Sequence, residues 1–568
     1  MDTQRLILWI VFSMSVLFIW DAWQKHTGRQ SMFFPTPTAT QPGAAKPGST
    51  GATPSPAGTA GAAGISPIAG AAPGGVSTAP AAAPVSGEII TLTSDVLKLE
   101  IDTKGGVVKR ATLLKHKAND DISKPFVLLD DAPNKPYFAE SGLFGTPDAP
   151  DHLTTLYTAV AGERTLAEGG GAINLALTAE RGGLRVTKTY TLQRGSYAVS
   201  VKHDVENIGT QPLQPSLYSH LRRHAEKPPG NAINDYFIVT FTGPAIYTEA
   251  AKYEKIPFAD VEKGKASFNK TADNGWVALI QHYFVAAWVP QKGVPREYYA
   301  EKTDQPGIYR TGFKTQLPAI APGAKTTHES QLLIAPQDQE MLAKVSPGLD
   351  LVVDYTWLTF IAKPMYNLLK FLHDNITYNW GWAIILLTIV IKAILYYPMA
   401  ISYKSMAKMK AVMPRVQALR EKYGDDKVKM NTAMMELYKT EKVNPFGGCL
   451  PIMLTIPVFL ALYWVLLASV EMRHAPWIGW VKDLSVPDPL YILPVVLAAT
   501  MWAQFKLNPP PPDPMQARIL MIMQGVFAIM FLFFPAGLVL YYIVNNLLSI
   551  AQQKFIYWRL EKSGYSLK

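Results

Sequence analysis

With 568 residues the chain is too long for one core and long enough for a water-soluble domain joined to a membrane domain. Its one cysteine, Cys449, excludes an internal disulfide framework. A formal charge of +10 would admit a nucleic-acid partner, but residues 398–448 hold ten Lys and Arg against five Asp and Glu beside an apolar segment. That excess is what the positive-inside rule expects of a cytoplasmic loop, so DNA is not an expected partner.

Residues 1–24 place Arg5 before a short apolar core and Trp20 and Trp23 after it. The layout is that of a signal peptide without a small-residue cleavage site, which predicts an uncleaved transmembrane anchor with a cytoplasmic N-terminus. Residues 35–87 are almost purely Pro, Ala, Gly, Ser and Thr, with Lys46 the only charge, and read as a flexible tether. From Glu88 the pattern turns to period-two alternation. Ile89 to Ile101 reads as two strands; Leu184–Gln193 and Tyr197–Asn207 flank Arg194-Gly195-Ser196 as a hairpin; Trp276–Pro290 and Gln331–Pro336 add further strands. Residues 88–345 are therefore expected to form a large all-β sandwich. Its histidines, among them His116, His203, His220, His224 and His282, show no metal-ligand spacing and are expected at the surface or at strand ends.

Residues 354–374 carry one broad apolar face rich in Trp, Tyr and Phe, with Lys363, Lys370 and His373 elsewhere. This predicts a helix lying in the outer interface, kinked or broken at Pro364; a buried helix of the soluble domain is the alternative. Five apolar spans follow, at 379–397, 450–470, 489–505, 517–534 and 537–554, the last two separated by the Phe-Pro-Ala-Gly turn of 534–537. With the anchor, the expectation is an α-helical polytopic membrane protein of six spans. Its five-span core is 379–554, its β domain lies outside, and both termini are cytoplasmic, including a basic tail at 555–568.

Lys392 is the one charge in the run Trp380 to Tyr397, and no carboxylate lies in any apolar run. A cation in a bilayer costs several kcal/mol, about 2.5–3.5 on insertion scales, which makes it a functional-site candidate. It lies six residues before Pro398, about 9 Å from the cytoplasmic end. Snorkelling to headgroups is one reading. The other is a wet polar groove, suggested by Thr388 one turn earlier, by Thr455, Gln524, Tyr541, Asn545 and Asn546 on other spans, and by helices expected to be broken at Pro451, Pro457 and Pro494. No Asp, Glu or His is available in the spans as a proton relay, so the lysine suits transient attraction of acidic or hydrated peptide segments.

Residues 403–444 form two helical stretches around Tyr423-Gly424-Asp425-Asp426 and predict an antiparallel cytoplasmic hairpin. It is basic and carries Met406, Met409, Met413, Met430, Met434 and Met435. Adaptable methionines suit a surface that catches varied apolar segments; packing between the two helices explains them equally well. No nucleotide-binding loop, His-Glu-x-x-His or Gly-x-Ser-x-Gly is present, so neither catalysis nor a cofactor is expected.

The stretches SMAKMK (405–410), GDDK (424–427), 434–471, 483–501, DPMQARI (513–519) and FPAGLVLYYIVNNLLSIAQQ (534–553) resemble the YidC/Oxa/Alb membrane-protein insertases. The resemblance covers all of 354–568. Anchor, tether and outer domain are similar to the Gram-negative form, whose periplasmic domain resembles a galactose-mutarotase-like β-supersandwich. It implies a bacterial inner-membrane insertase and chaperone with a hydrophilic groove open to cytoplasm and lipid. The groove cation falls on Lys392, where many members carry arginine; the charge is kept and the planar bidentate fork lost. Thr388 matches a groove hydroxyl, and Ile456, Phe459 and Tyr542 fall on an apolar slide. Implied partners are nascent membrane proteins, the Sec translocon and its accessory subunits, the ribosome and signal-recognition machinery, and membrane lipids. Two competing readings are a small-solute or lipid transporter, for which internal repeats are expected and none is detected, and a sugar-converting outer domain.

Overall fold

The computed structural model describes residues 87–118, 121–133, 135–225, 240–423, 426–441, 443, 450–508 and 514–563. The expected anchor 1–24, the tether 35–87 apart from its last residue, Gly424 and Asp425 of the hairpin turn, and 564–568 of the tail lie outside them.

The strands in chain order are β1 (Ile89–Thr93), β2 (Leu97–Asp102), β3 (Val107–Lys117), β4 (Pro125–Leu129), β5 (Tyr137–Phe144), β6 (Thr158–Ala159), β7 (Ala172–Arg181), β8 (Leu184–Gln193) and β9 (Ala198–Asn207). They continue as β10 (Ser216–His224), β11 (Gly243–Thr248), β12 (Lys252–Lys255), β13 (Thr271–Ala272), β14 (Trp276–Gln281), β15 (Phe284–Pro290), β16 (Arg296–Lys302), β17 (Ile308–Gln316) and β18 (Lys325–Pro336). One sheet runs β1-β2-β3-β5-β10-β17-β16-β13 with β4 beside β3; the other runs β12-β11-β14-β15-β18-β9-β8-β7-β6. The expected hairpin is β8–β9, in register from Leu184↔Asn207 to Leu192↔Val199. Gly195 turns it at φ +71°, a conformation that glycine adopts at no steric cost. Leu184, Val186, Tyr190 and Leu192 alternate inward and are buried against the facing sheet. Each such side chain contributes roughly 1.5–3 kcal/mol. Of the histidines expected at the surface or at strand ends, His224 does end β10, but His203 and His220 are buried within β9 and β10. Alternation decides which face a residue joins, not whether that face is covered.

The helices are α1 (Phe258–Glu262), α2 (Gln339–Val345), α3 (Thr359–Leu372), α4 (Trp380–Ile394), α5 (Tyr396–Tyr423), α6 (Lys427–Thr440), α7 (Leu450–Ala468), α8 (Ile492–Leu507), α9 (Pro514–Met530) and α10 (Ala536–Lys562). α3 buries Ala362, Met365, Tyr366, Leu369 and Leu372 and exposes Phe360 and Phe371, the amphipathic pattern expected. It continues through Pro364, contrary to expectation, because a proline there forfeits a single ladder bond near the helix start. Pro451 and Pro494 likewise break nothing. They fall in the first turns of α7 and α8, where an N–H has no helical acceptor, and α7 runs on through Pro457. α5 begins at Tyr396 rather than near Tyr403, with Pro398 in its first turn, and α10 runs through most of the expected tail to Lys562.

Among the described residues no single helix is long and apolar enough to cross a membrane; Thr356–Thr377 and Trp380–Ile394 pass only together, bent by 119°. Shorter apolar helices occupy Met453–Ala468, Ile492–Leu507 and Ala517–Phe533. The 15 residues of α4 rise about 22 Å, against a hydrocarbon core of about 30 Å.

One apolar cluster joins the two halves, from Trp276 and Leu333 of the sheet through Tyr366 and Leu369 of α3 to Leu387, Leu466 and Leu538 of the helical core. Polar links reinforce it. Lys370 pairs with Glu340 at 2.9 Å, the Tyr366 hydroxyl donates to Glu471 Oε1 at 2.5 Å, and Arg473 lies over the rings of Phe126 and Phe284.

Candidate functional site

The centre of the helical core is a polar seam along α10. Asn546, Ser549, Gln553 and Tyr557 recur at helical spacing and so share one face. Asn546 Nδ2 donates to Thr500 Oγ1 of α8 at 3.3 Å, and Gln504 Nε2 donates to Gln553 Oε1 at 3.1 Å. Gln553 Nε2 in turn reaches the Tyr557 hydroxyl at 2.9 Å and Asn508 Oδ1 at 3.3 Å. From the other side, Lys392 Nζ of α4 donates to Ser549 Oγ at 2.6 Å, and that hydroxyl donates to the Asn545 carbonyl at 2.7 Å. The lysine thus points inward to the last helix. Among the described residues no ion pair involves it, so the charge is held by a neutral hydroxyl and remains uncompensated.

The residues expected beside it are only partly assembled there. Asn545 is. Thr388 is buried, and its hydroxyl donates to the Ile384 carbonyl at 2.7 Å, within its own helix. Tyr541 is buried in the apolar cluster. Gln524 donates to the Met501 carbonyl at 2.9 Å, linking α9 to α8, and Thr455 is half-buried on α7. The apolar residues do converge: the Phe459 ring stands edge-on to Tyr542 at 5.3 Å, and Tyr542 lies 5.0 Å from Phe531, with Ile456 exposed one turn away on α7. Sequence reading missed Ser549, Gln553, Thr500 and Gln504. The signal for Ser549 and Gln553 was the polar spacing of 546, 549, 553 and 557 inside an apolar helix, and that for Thr500 and Gln504 their one-turn spacing on α8.

The hairpin of α5 and α6 packs Val412 and Val416 of α5 against Tyr438 of α6 and Val443, with Met409 and Met434 alongside, and Arg415 pairs with Glu441. Met406 is buried against Tyr403 and Ile556, and Met413 is buried as well. Met430 is half-buried; of the six methionines, Met435 is the exposed one.

The structure thus joins a core of short apolar helices, with a cation turned into it, to a large two-sheet β domain. Residues 89–368 match the family described as YidC periplasmic domain, and residues 371–563 the family described as 60Kd inner membrane protein. The membrane protein insertase YidC of Cupriavidus necator is 50% identical over 573 residues, covering 99% of this chain and 98% of its own. A crystal structure of an active YidC insertase with its first transmembrane domain resolved is similar at 18% identity and TM-score 0.36, over 82% of this chain and 94% of its own. A galactose mutarotase related enzyme from Lactobacillus acidophilus is similar at 10% identity and TM-score 0.29, over 44% of this chain and 97% of its own. The chain belongs to the YidC family of membrane protein insertases.

Proposed function

We propose that the chain inserts nascent membrane proteins into the bacterial inner membrane and assists their folding, with its β domain in the periplasm and both termini in the cytoplasm. The observation that carries the mechanism is the Lys392–Ser549 contact: an inward-facing ammonium with one neutral partner and no carboxylate among the described residues. A client's short polar flank, acidic or hydrated, is drawn toward that charge, while its apolar segment moves along Ile456, Phe459 and Tyr542 into lipid. Attraction at a partly desolvated site is several-fold stronger than in water. The short rise of α4 supports a locally thinned bilayer, which lowers the distance the flank must travel. The basic hairpin α5–α6 receives clients on the cytoplasmic side, from the ribosome and signal-recognition machinery or beside the Sec translocon. Beyond Tyr403, its exposed large apolar side chains among the described residues are Val428 and Met435, since Met406 and Met413 are committed to packing.

The test is insertion of a single-span, short-tailed client into proteoliposomes carrying the full chain. Lys392→Ala is expected to lower protease-protected product about tenfold, and Lys392→Arg to keep most of it. Unchanged insertion by Lys392→Ala would remove the cation from the mechanism.

A further inference from the structure

The β domain holds a second cluster that the insertase reading does not use. On the face of its sheet turned away from the intersheet core, Glu140 of β5, His220 of β10, Gly312 of β17 and Tyr299 of β16 stand in one cross-strand row. Gly312 makes the row possible. A Cβ there would lie 2.3 Å from the Ser219 carbonyl oxygen and 2.4 Å from His220 Cβ. The space lets the Tyr299 hydroxyl reach His220 Nδ1 at 2.9 Å, while His220 Nε2 faces Glu140 Oε2 at 2.7 Å.

A second imidazole arrives from the loop after β5. Asp151 Oδ1 accepts from the backbone of Leu153 at 3.0 Å and Thr154 at 2.7 Å, and Gly105 N–H donates to the Thr155 carbonyl at 2.7 Å. The loop so pinned delivers His152, whose Nδ1 meets the Tyr218 hydroxyl and whose Nε2 stands 3.6 Å from the same Glu140 Oε2, longer than a hydrogen bond. All three side chains are buried, and one donor atom from each lies within 4.8 Å of the other two. Two imidazoles and a carboxylate converging on one point, each imidazole fixed through its other nitrogen by a tyrosine hydroxyl, is the arrangement of metal ligands with their supporting shell.

We propose that Glu140, His152 and His220 bind a divalent transition-metal ion, with zinc the best-suited ligand. A tetrahedral zinc with bonds of about 2.0–2.1 Å needs donors about 3.3 Å apart. The pair at 2.7 Å must open and the pair at 3.6 Å close, each by a fraction of an ångström. The donor set disfavours calcium and magnesium, which take oxygen ligands. Two cations lie near and both are already engaged: Arg222 Nε sits 3.3 Å from the other carboxylate oxygen, Oε1, and Lys188 Nζ donates to the Gly105 and Ser141 carbonyls at 2.7 and 2.6 Å.

The full chain in detergent, stripped with chelator and equilibrated with zinc, is expected to retain about one ion per chain by elemental mass spectrometry and to melt at a higher temperature than the stripped protein. Cobalt in place of zinc gives visible d–d bands. His152→Gln, on the loop, should melt like the stripped wild type and bind at least about 100-fold more weakly; Tyr299→Phe should weaken binding about tenfold. If His152→Gln misfolds, Glu140→Gln supplies the same comparison. Wild type that takes up no zinc, or a variant that takes up as much as wild type, overturns the site.

Discussion

Lys392 and Ser549 lie 157 positions apart in sequence and 2.6 Å apart in space, tying α4 to α10 at the depth where the seam of Asn546, Ser549 and Gln553 begins. A hydroxyl that accepts from an ammonium and donates to a backbone carbonyl orients the charge without cancelling it. That distinguishes the site from an ion pair, whose charge would be spent on its partner.

The contrast with Thr388 gives a first prediction. Its hydroxyl already bonds to its own helix, so Thr388→Val should leave insertion within about twofold of wild type and cost under about 1 kcal/mol. Ser549→Ala removes the one hydrogen bond that a partly buried ammonium makes among the described residues and should cost about 1.5–3 kcal/mol. Thermal melts of the two variants in detergent check the order; equal losses would mean that the two hydroxyls play the same part.

Gly312→Ala should destabilise the β domain by about 1–3 kcal/mol or more, since both neighbours of the added methyl, the Ser219 carbonyl and His220 Cβ, belong to a ladder strand that cannot withdraw. The midpoint of the β-sheet signal in a denaturant or thermal melt of the full chain reports it. A wild-type melt would show that β10 and β17 can separate cheaply.

His328 on β18 is buried, and burial, with Arg296 nearby, holds its imidazole down to about 4. The unfolded chain takes a proton near 6.5 that the native fold refuses until about 4. Stability is therefore full above about pH 6.5 and falls as pH drops through that window, by up to about 3 kcal/mol for this residue. His328→Gln should reduce the slope of melting temperature against pH between 7 and 4.5 in part, since burial holds His116 and His282 down to about 4 as well. An unchanged slope in the variant would rule out a contribution from His328.

Much of this is legible in the sequence. The alternation of Leu184 through Leu192 places β8 and its partner within a residue of their observed ends, because one face of that hairpin is buried. Phe-Pro-Ala-Gly marks the turn into α10 because Pro535 falls at its N-cap, where the missing N–H has no helical acceptor to lose. Lys392 stands out because charge in an apolar run is costly wherever the helix packs. Its partner was not legible: a serine in an apolar helix is cheap, and its usual partner is its own backbone. Thr388 was assigned to the groove for sharing Lys392's face, yet its hydroxyl turned back on Ile384. The Glu140–His220 pair was hidden for a different reason. Strand register brings together residues 80 positions apart, and no local spacing announces it.

The most direct measurement places photocrosslinking residues at Asn545, beside the lysine's hydroxyl partner, and at Ile456, exposed on α7, in cells synthesising a single-span client. The account predicts adducts of Asn545 with the client's polar flank and of Ile456 with its apolar segment, the former lost in Lys392→Ala. Adducts with lipid alone at both positions would contradict it, and would move client capture away from the seam between α4 and α10.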